Sequence, residues 1–177
     1  MEKQKKINNI GFNMGMATML WSFKMVNSSA KITPRQISVG EMRNFLKNIT
    51  NEQNISYIAL LDTSYFTIKW SEFKIILDRI KTFLNKIPYI RQRMDCDNFA
   101  FFMASLMSVI FGINTCGVTY GSVNIGHYWN AIVAEKEDGT LGLYYYDVKK
   151  VGYTEYKKGS KIKIGNWTYT PKSYRFF

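Results

Sequence analysis

Two cysteines, one histidine and a late aspartate are the side chains here whose types and positions could carry covalent chemistry. Cys96 follows Asp95 and opens the stretch Asp97-Asn98-Phe99-Ala100, after which the chain is almost wholly apolar as far as Ile110. If a helix starts there, Cys96 sits at its N-terminus. Unpaired backbone N–H groups and the helix dipole would then stabilise a thiolate and lower its pKa. The same N–H groups would help hold the oxyanion formed when a carbonyl is attacked. Asp95 and Asp97 flank the sulfur and oppose this by like-charge repulsion, unless Asp95 caps the helix and points away. The sequence leaves the sign of the net shift open.

His127 is the chain's single histidine and follows Gly126 at the head of a β-rich segment, residues 128–134. An imidazole on a rigid strand beside a helix N-terminus is the usual way to activate a cysteine. Asp147 ends the otherwise apolar run Leu143-Tyr144-Tyr145-Tyr146, beyond the turn signal Asp138-Gly139. A hairpin folded there puts the residue opposite Asp147 near position 130, one or two pleats from His127. On that register Asp147 reaches the ring through a bulge or slip. A lone acid near a lone histidine reads as the residue that orients it. Taken singly, each has a plainer account: Cys96 as a small buried residue, His127 as a hydrogen-bonded strand end, Asp147 as a solvent-facing acid or a partner of Lys149. Their joint occurrence favours the triad. Cys116, mid-strand beside Gly117, is expected in the core. One histidine and two separated cysteines do not make a zinc site, and no metal or cofactor is expected. Trp70, Tyr89, residues 144–146, Met103 and Met107 read as packing.

The elements that must position these groups follow from spacing. Thr33-Pro34 resembles a helix start, with Ile37, Met42, Phe45, Leu46 and Ile49 giving a partly helical face. Residues 56–61 fit strand or helix. Ser71-Glu72 and then Phe73, Ile76, Leu77, Ile80, Phe83 and Leu84 predict an amphipathic helix that stops near Ile87, because Pro88 disfavours helical geometry before it. Residues 95–110 predict a helix apolar on most faces, hence buried, with Gly112 as its stop. Strands are expected over residues 116–120, 128–134 and 141–148, and again over 161–164 and 167–170 around Gly165-Asn166. Helices first and a meander of antiparallel strands afterwards make an α+β domain, its central helix starting at Cys96 and packing on a C-terminal sheet. Residues 1–33 read as an N-terminal arm or helix and residues 34–177 as a single domain.

Cys96-Asp97-Asn98-Phe99-Ala100 supplies C-x-x-F-A, Gly126-His127-Tyr128-Trp129-Asn130 supplies H-x-W-N, and Tyr146-Asp147 ends the following strand. In this order the motifs resemble the core of transglutaminase-like proteins within the papain-like cysteine protease superfamily, over roughly residues 89–148. The resemblance implies a papain/transglutaminase-like fold and a Cys–His–Asp triad, with Cys96 the nucleophile, His127 the base and Asp147 the orienter. Trp129 and Asn130 match the strand motif and would support the site, as would Asp95. Asp97 stands where transglutaminases often carry an aromatic residue. Asp-Cys-x-x-Phe also resembles cell-wall peptidases of the NlpC/P60 type, although their Gly-Asp-rich segment before the histidine is missing. The activity implied is thiol-dependent acyl hydrolysis or transfer on a protein or peptide amide, with a peptidoglycan endopeptidase or amidase as one alternative.

The formal net charge is +11 over 177 residues. Lys149, Lys150, Lys157, Lys158, Lys161, Lys163, Lys172 and Arg175 face only Glu155 after Asp147. Such a field attracts polyanions, but a lysine-rich solvated surface is the simpler reading. The other alternative is therefore a non-catalytic structural or virion-associated protein that keeps the fold. Its basic, aromatic C-terminal region (Tyr153, Tyr156, Trp167, Tyr169, Tyr174, Phe176, Phe177) would then meet nucleic acid or a larger assembly, as in a phage particle. No apolar run approaches a membrane span. The N-terminal apolar stretch is interrupted by Asn13 and closed by Lys24, so a secretion signal is not expected. Together with the low cysteine count this points to a cytoplasmic or virion-associated location.

Overall fold

The computed structural model describes residues 32–51, 54–150 and 152–177. The expected N-terminal arm lies outside them except for its last two residues. Residues 34–177 belong to one compact unit. Its described elements run β1 (Arg35–Ser38), α1 (Val39–Thr50), β2 (Tyr57–Leu60), β3 (Ser64–Thr67), α2 (Trp70–Leu84), α3 (Cys96–Phe111), β4 (Cys116–Val123), β5 (Ile125–Glu135), β6 (Leu141–Asp147), β7 (Gly152–Glu155), β8 (Ile162–Ile164) and β9 (Trp167–Phe176). The fold is α+β.

The first helix begins later than Thr33-Pro34 predicts. Arg35–Ser38 instead pairs antiparallel with β3, and Ser38 is the cap, its hydroxyl accepting the Glu41 N–H. Ile37 is therefore a strand residue, while Met42 and Leu46 carry the buried stripe of α1. Burying each such side chain contributes about 1.5–3 kcal/mol. The α2 helix starts at Trp70, where the Glu72 carboxylate accepts the Lys69 N–H, and ends at Leu84, three residues before the expected stop. The α3 helix runs from Cys96 to Gly112, whose φ of 66° closes it in a left-handed turn that suits glycine. It is not buried all round: Phe101, Ser105 and Val109 form an exposed stripe.

The sheet departs from a simple meander. Its seven strands include the order β2-β9-β4-β5-β6-β7, with β8 paired to β9. The last strand thus inserts beside β4 and takes β2 on its other edge in parallel. Residues 56–61 resolve as strand. One core, built on Met42, Leu46, Trp129, Tyr145, Tyr174 and Phe176 among others, lies between α1 and this sheet. On the other side, α3 seats Ala100 and Ala104 against Val118, with Tyr128 packed alongside. The C-terminal aromatics are mostly not surface: Tyr156, Tyr169, Tyr174 and Phe176 are buried in one core, the last three on β9, where a register shift against β4 brings Tyr169 to the same side as Tyr174 and Phe176. Of that group Tyr153 and Trp167 remain exposed, and Phe177 is half-buried.

Candidate active site

The α3 helix delivers Cys96 as its first residue. Asp95 is the N-cap; its backbone N–H donates to the Asn98 side chain, and its carboxylate accepts the Gln92 N–H at 2.8 Å. This reciprocal capping fixes where the helix starts and hence where the sulfur sits. Asp95 and Asp97 are joined by a side-chain hydrogen bond that lowers the pKa of the first and raises that of the second. The Asp95 charge still works against a thiolate at Cys96, as the smallest of the effects acting there.

Strands β5 and β6 place the other two groups. Their register pairs Asn130 with Tyr146, so the position across from Asp147 is Trp129. His127 lies two residues further along the same face, a diagonal neighbour of Asp147, and diagonal neighbours are within reach of long side chains. No bulge or slip between β5 and β6 is needed. His127 Nε2 lies 2.7 Å from Asp147 Oδ2. A carboxylate only accepts, so the ring N–H donates to it. With Nε2 engaged, Nδ1 is the nitrogen left for Cys96, whose thiol pKa is lowered by this ring and by the Tyr128 N–H. Because β6 ends at Asp147, β5 has no strand partner on that side beyond Asn130, which leaves the Tyr128 backbone facing the sulfur.

Asp147 is buried and fully committed. Its Oδ2 also accepts the Tyr169 hydroxyl at 2.8 Å, and its Oδ1 accepts the Lys149 and Lys150 N–H groups at 3.0 and 3.2 Å. Burial works against its charge, but His127 and Tyr169 outweigh that and hold the carboxyl below its ordinary range. Burial likewise opposes an imidazolium at His127, yet the hydrogen bonds to Asp147 and Cys96 push its pKa up to about 9. At Cys96 burial disfavours the thiolate, and His127 together with the Tyr128 N–H reverses this, lowering the thiol pKa. The three shifts run in the directions that favour a thiolate beside an imidazolium and a carboxylate. Cys116 is the opposite case: it is buried without such partners, and desolvation pushes its thiol up.

The supporting residues divide. Trp129 is buried with its indole 5.9 Å from the His127 ring and edge-on to Tyr169 at 5.0 Å, so it walls the imidazole. Asn130 does not touch the His127–Asp147 pair. Its amide donates to the Ala100 and Gly117 carbonyls at 2.8 and 3.1 Å, pinning α3 to β4. Asp95 acts through the helix start described above. Sequence reasoning missed Tyr169, placing it on a binding surface; its alternation with Pro171 and Ser173 along one strand was the available signal. Tyr89 packs at the edge of the core, as expected, and it also borders the site. It is half exposed, its ring stacks on Phe99 at 6.5 Å, and its phenol feels Cys96: burial and the charges of Cys96 and Asp95 raise its pKa, against the Cys96 N–H.

Asp95, Cys96 and Asp97 bring three ligand-type atoms within 4.8 Å of one another, close enough to hold a metal ion, while the Asp95 carboxylate also accepts the Gln92 N–H. Among the described residues, no helix is long and apolar enough to cross a membrane. Comparison with protein-family models, with curated proteins and with solved structures finds no match in any of the three.

Proposed function

We propose that this chain is a thiol-dependent acyl hydrolase or transferase acting on amide bonds, with a papain/transglutaminase-like arrangement of Cys96, His127 and Asp147. The observation that carries the reading is one imidazole held by the Asp147 carboxylate at 2.7 Å and near enough to the Cys96 sulfur for each to shift the other's pKa. In the proposed reaction the Cys96 thiolate attacks the carbonyl carbon of a carboxamide or peptide. The N–H groups at the start of α3 serve as donors to the resulting oxyanion in this reading. The His127 imidazolium gives its proton to the departing amine, leaving a thioester on Cys96. Water, or a second amine, then gives up a proton to His127 as it attacks the thioester, and the thiolate leaves. Asp147 keeps the ring in the tautomer and orientation that both transfers need. The order Cys, His, Asp along the chain and the C-x-x-F-A and H-x-W-N motifs support the same reading.

The test is chemical. Iodoacetamide at neutral pH should alkylate Cys96 at least about 100-fold faster than Cys116, as followed by peptide mass spectrometry, and His127→Ala should remove most of that bias. Equal labelling of the two cysteines in the folded protein would sink the mechanism and leave a non-catalytic basic domain. Turbidity loss on bacterial cell walls would direct the amide chemistry to peptidoglycan.

A further inference from the structure

His127 forms part of the wall of a cleft of about 510 Å³ whose other lining side chains do not take part in the chemistry above. Tyr89, Val123, Ile125 and Trp167 make its apolar wall. Three of these, Tyr89, Ile125 and Trp167, are exposed at 52%, 75% and 39%, a concentration of apolar surface beside the imidazole. Asn124 and two cations, Lys149 and Lys150, stand with His127 in the rest of the lining, and no carboxylate does. Neither Asp95 nor Asp97 reaches it, and Asp147 stands behind the imidazole with all its oxygens engaged.

The two lysines differ. Lys149 is spent on the fold: its ammonium donates to the Leu84 and Ile87 carbonyls at 3.2 and 2.7 Å and lies 4.0 Å over the Phe99 ring. Lys150 is exposed, and its ammonium rests 3.8 Å over the Trp167 ring. Among the described residues no carboxylate pairs with it. A cation–π contact holds a cation in place without neutralising it or using up its donors. Lys150 is thus a positioned positive charge at the edge of an apolar wall.

We propose that this cleft is the acyl-donor subsite and that it takes an acidic peptide, with a carboxylate side chain seated on Lys150 and an aliphatic or aromatic neighbour against Ile125 and Trp167. The proposal rests on the thiol reading above and adds the substrate class. Its probes are two chloromethyl ketones, acetyl-Leu-Glu and acetyl-Leu-Gln, which alkylate Cys96 with loss of chloride. The full chain is used at low salt, and each rate is divided by that of iodoacetamide on the same protein. The glutamyl probe should react about fivefold faster than the glutaminyl one, a preference that salt erodes. Lys150→Gln should bring the ratio near one, and Lys150→Arg should keep it. Equal rates on the unaltered protein, or a ratio that Lys150→Gln leaves in place, would overturn the subsite while iodoacetamide still picks out Cys96. If iodoacetamide does not discriminate Cys96 from Cys116, the thiol reading itself fails and the subsite goes with it.

Discussion

Asp147 carries four hydrogen bonds, two on each oxygen, and that arithmetic decides what its neighbours do. A buried carboxylate left short of partners takes up a proton and ceases to orient an imidazole. Tyr169 supplies one of the four from the far end of the chain, and the Asp147 charge in turn helps keep the phenol protonated, so that it donates. Tyr169→Phe removes that donor and little else. A hydrogen bond to a buried charge is worth about 1.5–3 kcal/mol, so the urea midpoint should fall accordingly. The iodoacetamide rate at Cys96 should also drop several-fold near neutral pH, because a weaker carboxylate holds the imidazolium less well. An unchanged midpoint together with an unchanged rate would show that the phenol is a bystander.

At the scale of elements, what could be read from the sequence was whatever local spacing dictates. The limits of α3, from Asp95 to Gly112, follow from a cap, an apolar run and a glycine that tolerates φ of 66°. The β5–β6 hairpin follows from Asp138-Gly139, where Gly139 adopts φ of 80°. Together these two placed Cys96, His127 and Asp147 in three elements whose ends meet. What stayed hidden depended on partners distant along the chain. The parallel β2–β9 pairing has no local signature, the alternation around Tyr169 marks it as inward but not as a partner of Asp147, and the strand at residues 35–38 exists because β3 is there to pair with it. The approach of β9 to β4 is of the same kind. Their register shifts between Tyr120 and Gly121, and a Cβ at Gly121 would lie 2.2 Å from the Thr170 carbonyl and 2.6 Å from the Trp129 ring. Both obstacles are fixed, one backbone and the other core. Gly121→Ala should therefore destabilise the domain by about 2–3 kcal/mol, in the range of overpacked sites. The same shift should disturb Trp129 and Tyr169 and slow Cys96 alkylation. A midpoint equal to that of the parent would mean that β4 and β9 part more easily than their pairing implies.

For the molecule as a whole, the ionisable groups of the site link folding to pH, and the two limbs have opposite signs. Asp147 has a folded pKa below its unfolded value of about 3.9. Its contribution is complete above that unfolded value and disappears as the pH falls through the folded one. His127 has a folded pKa raised to about 9 from about 6.5 in an unfolded chain. Its contribution is complete below about 6.5 and is lost as the pH climbs through about 9. Cys96 runs opposite to His127: its folded pKa lies below its unfolded value, so its contribution grows as the pH rises through the folded one and offsets the His127 loss. The net charge of +11 acts across the same range. Its self-repulsion grows as carboxylates protonate, which steepens the acid limb. In the parent, thermal midpoints should therefore change little between about pH 6.5 and 9, because the thiolate and the imidazolium together hold one proton, as the free thiol and neutral imidazole do. In Cys96→Ser only His127 titrates there, and the midpoint should decline as the pH rises above about 6.5. Adding His127→Gln, which cannot titrate, should flatten that decline while the acid limb remains. A Cys96→Ser midpoint that holds level or rises above about pH 6.5 would mean that Asp147 does not hold the imidazole as a cation in the folded protein.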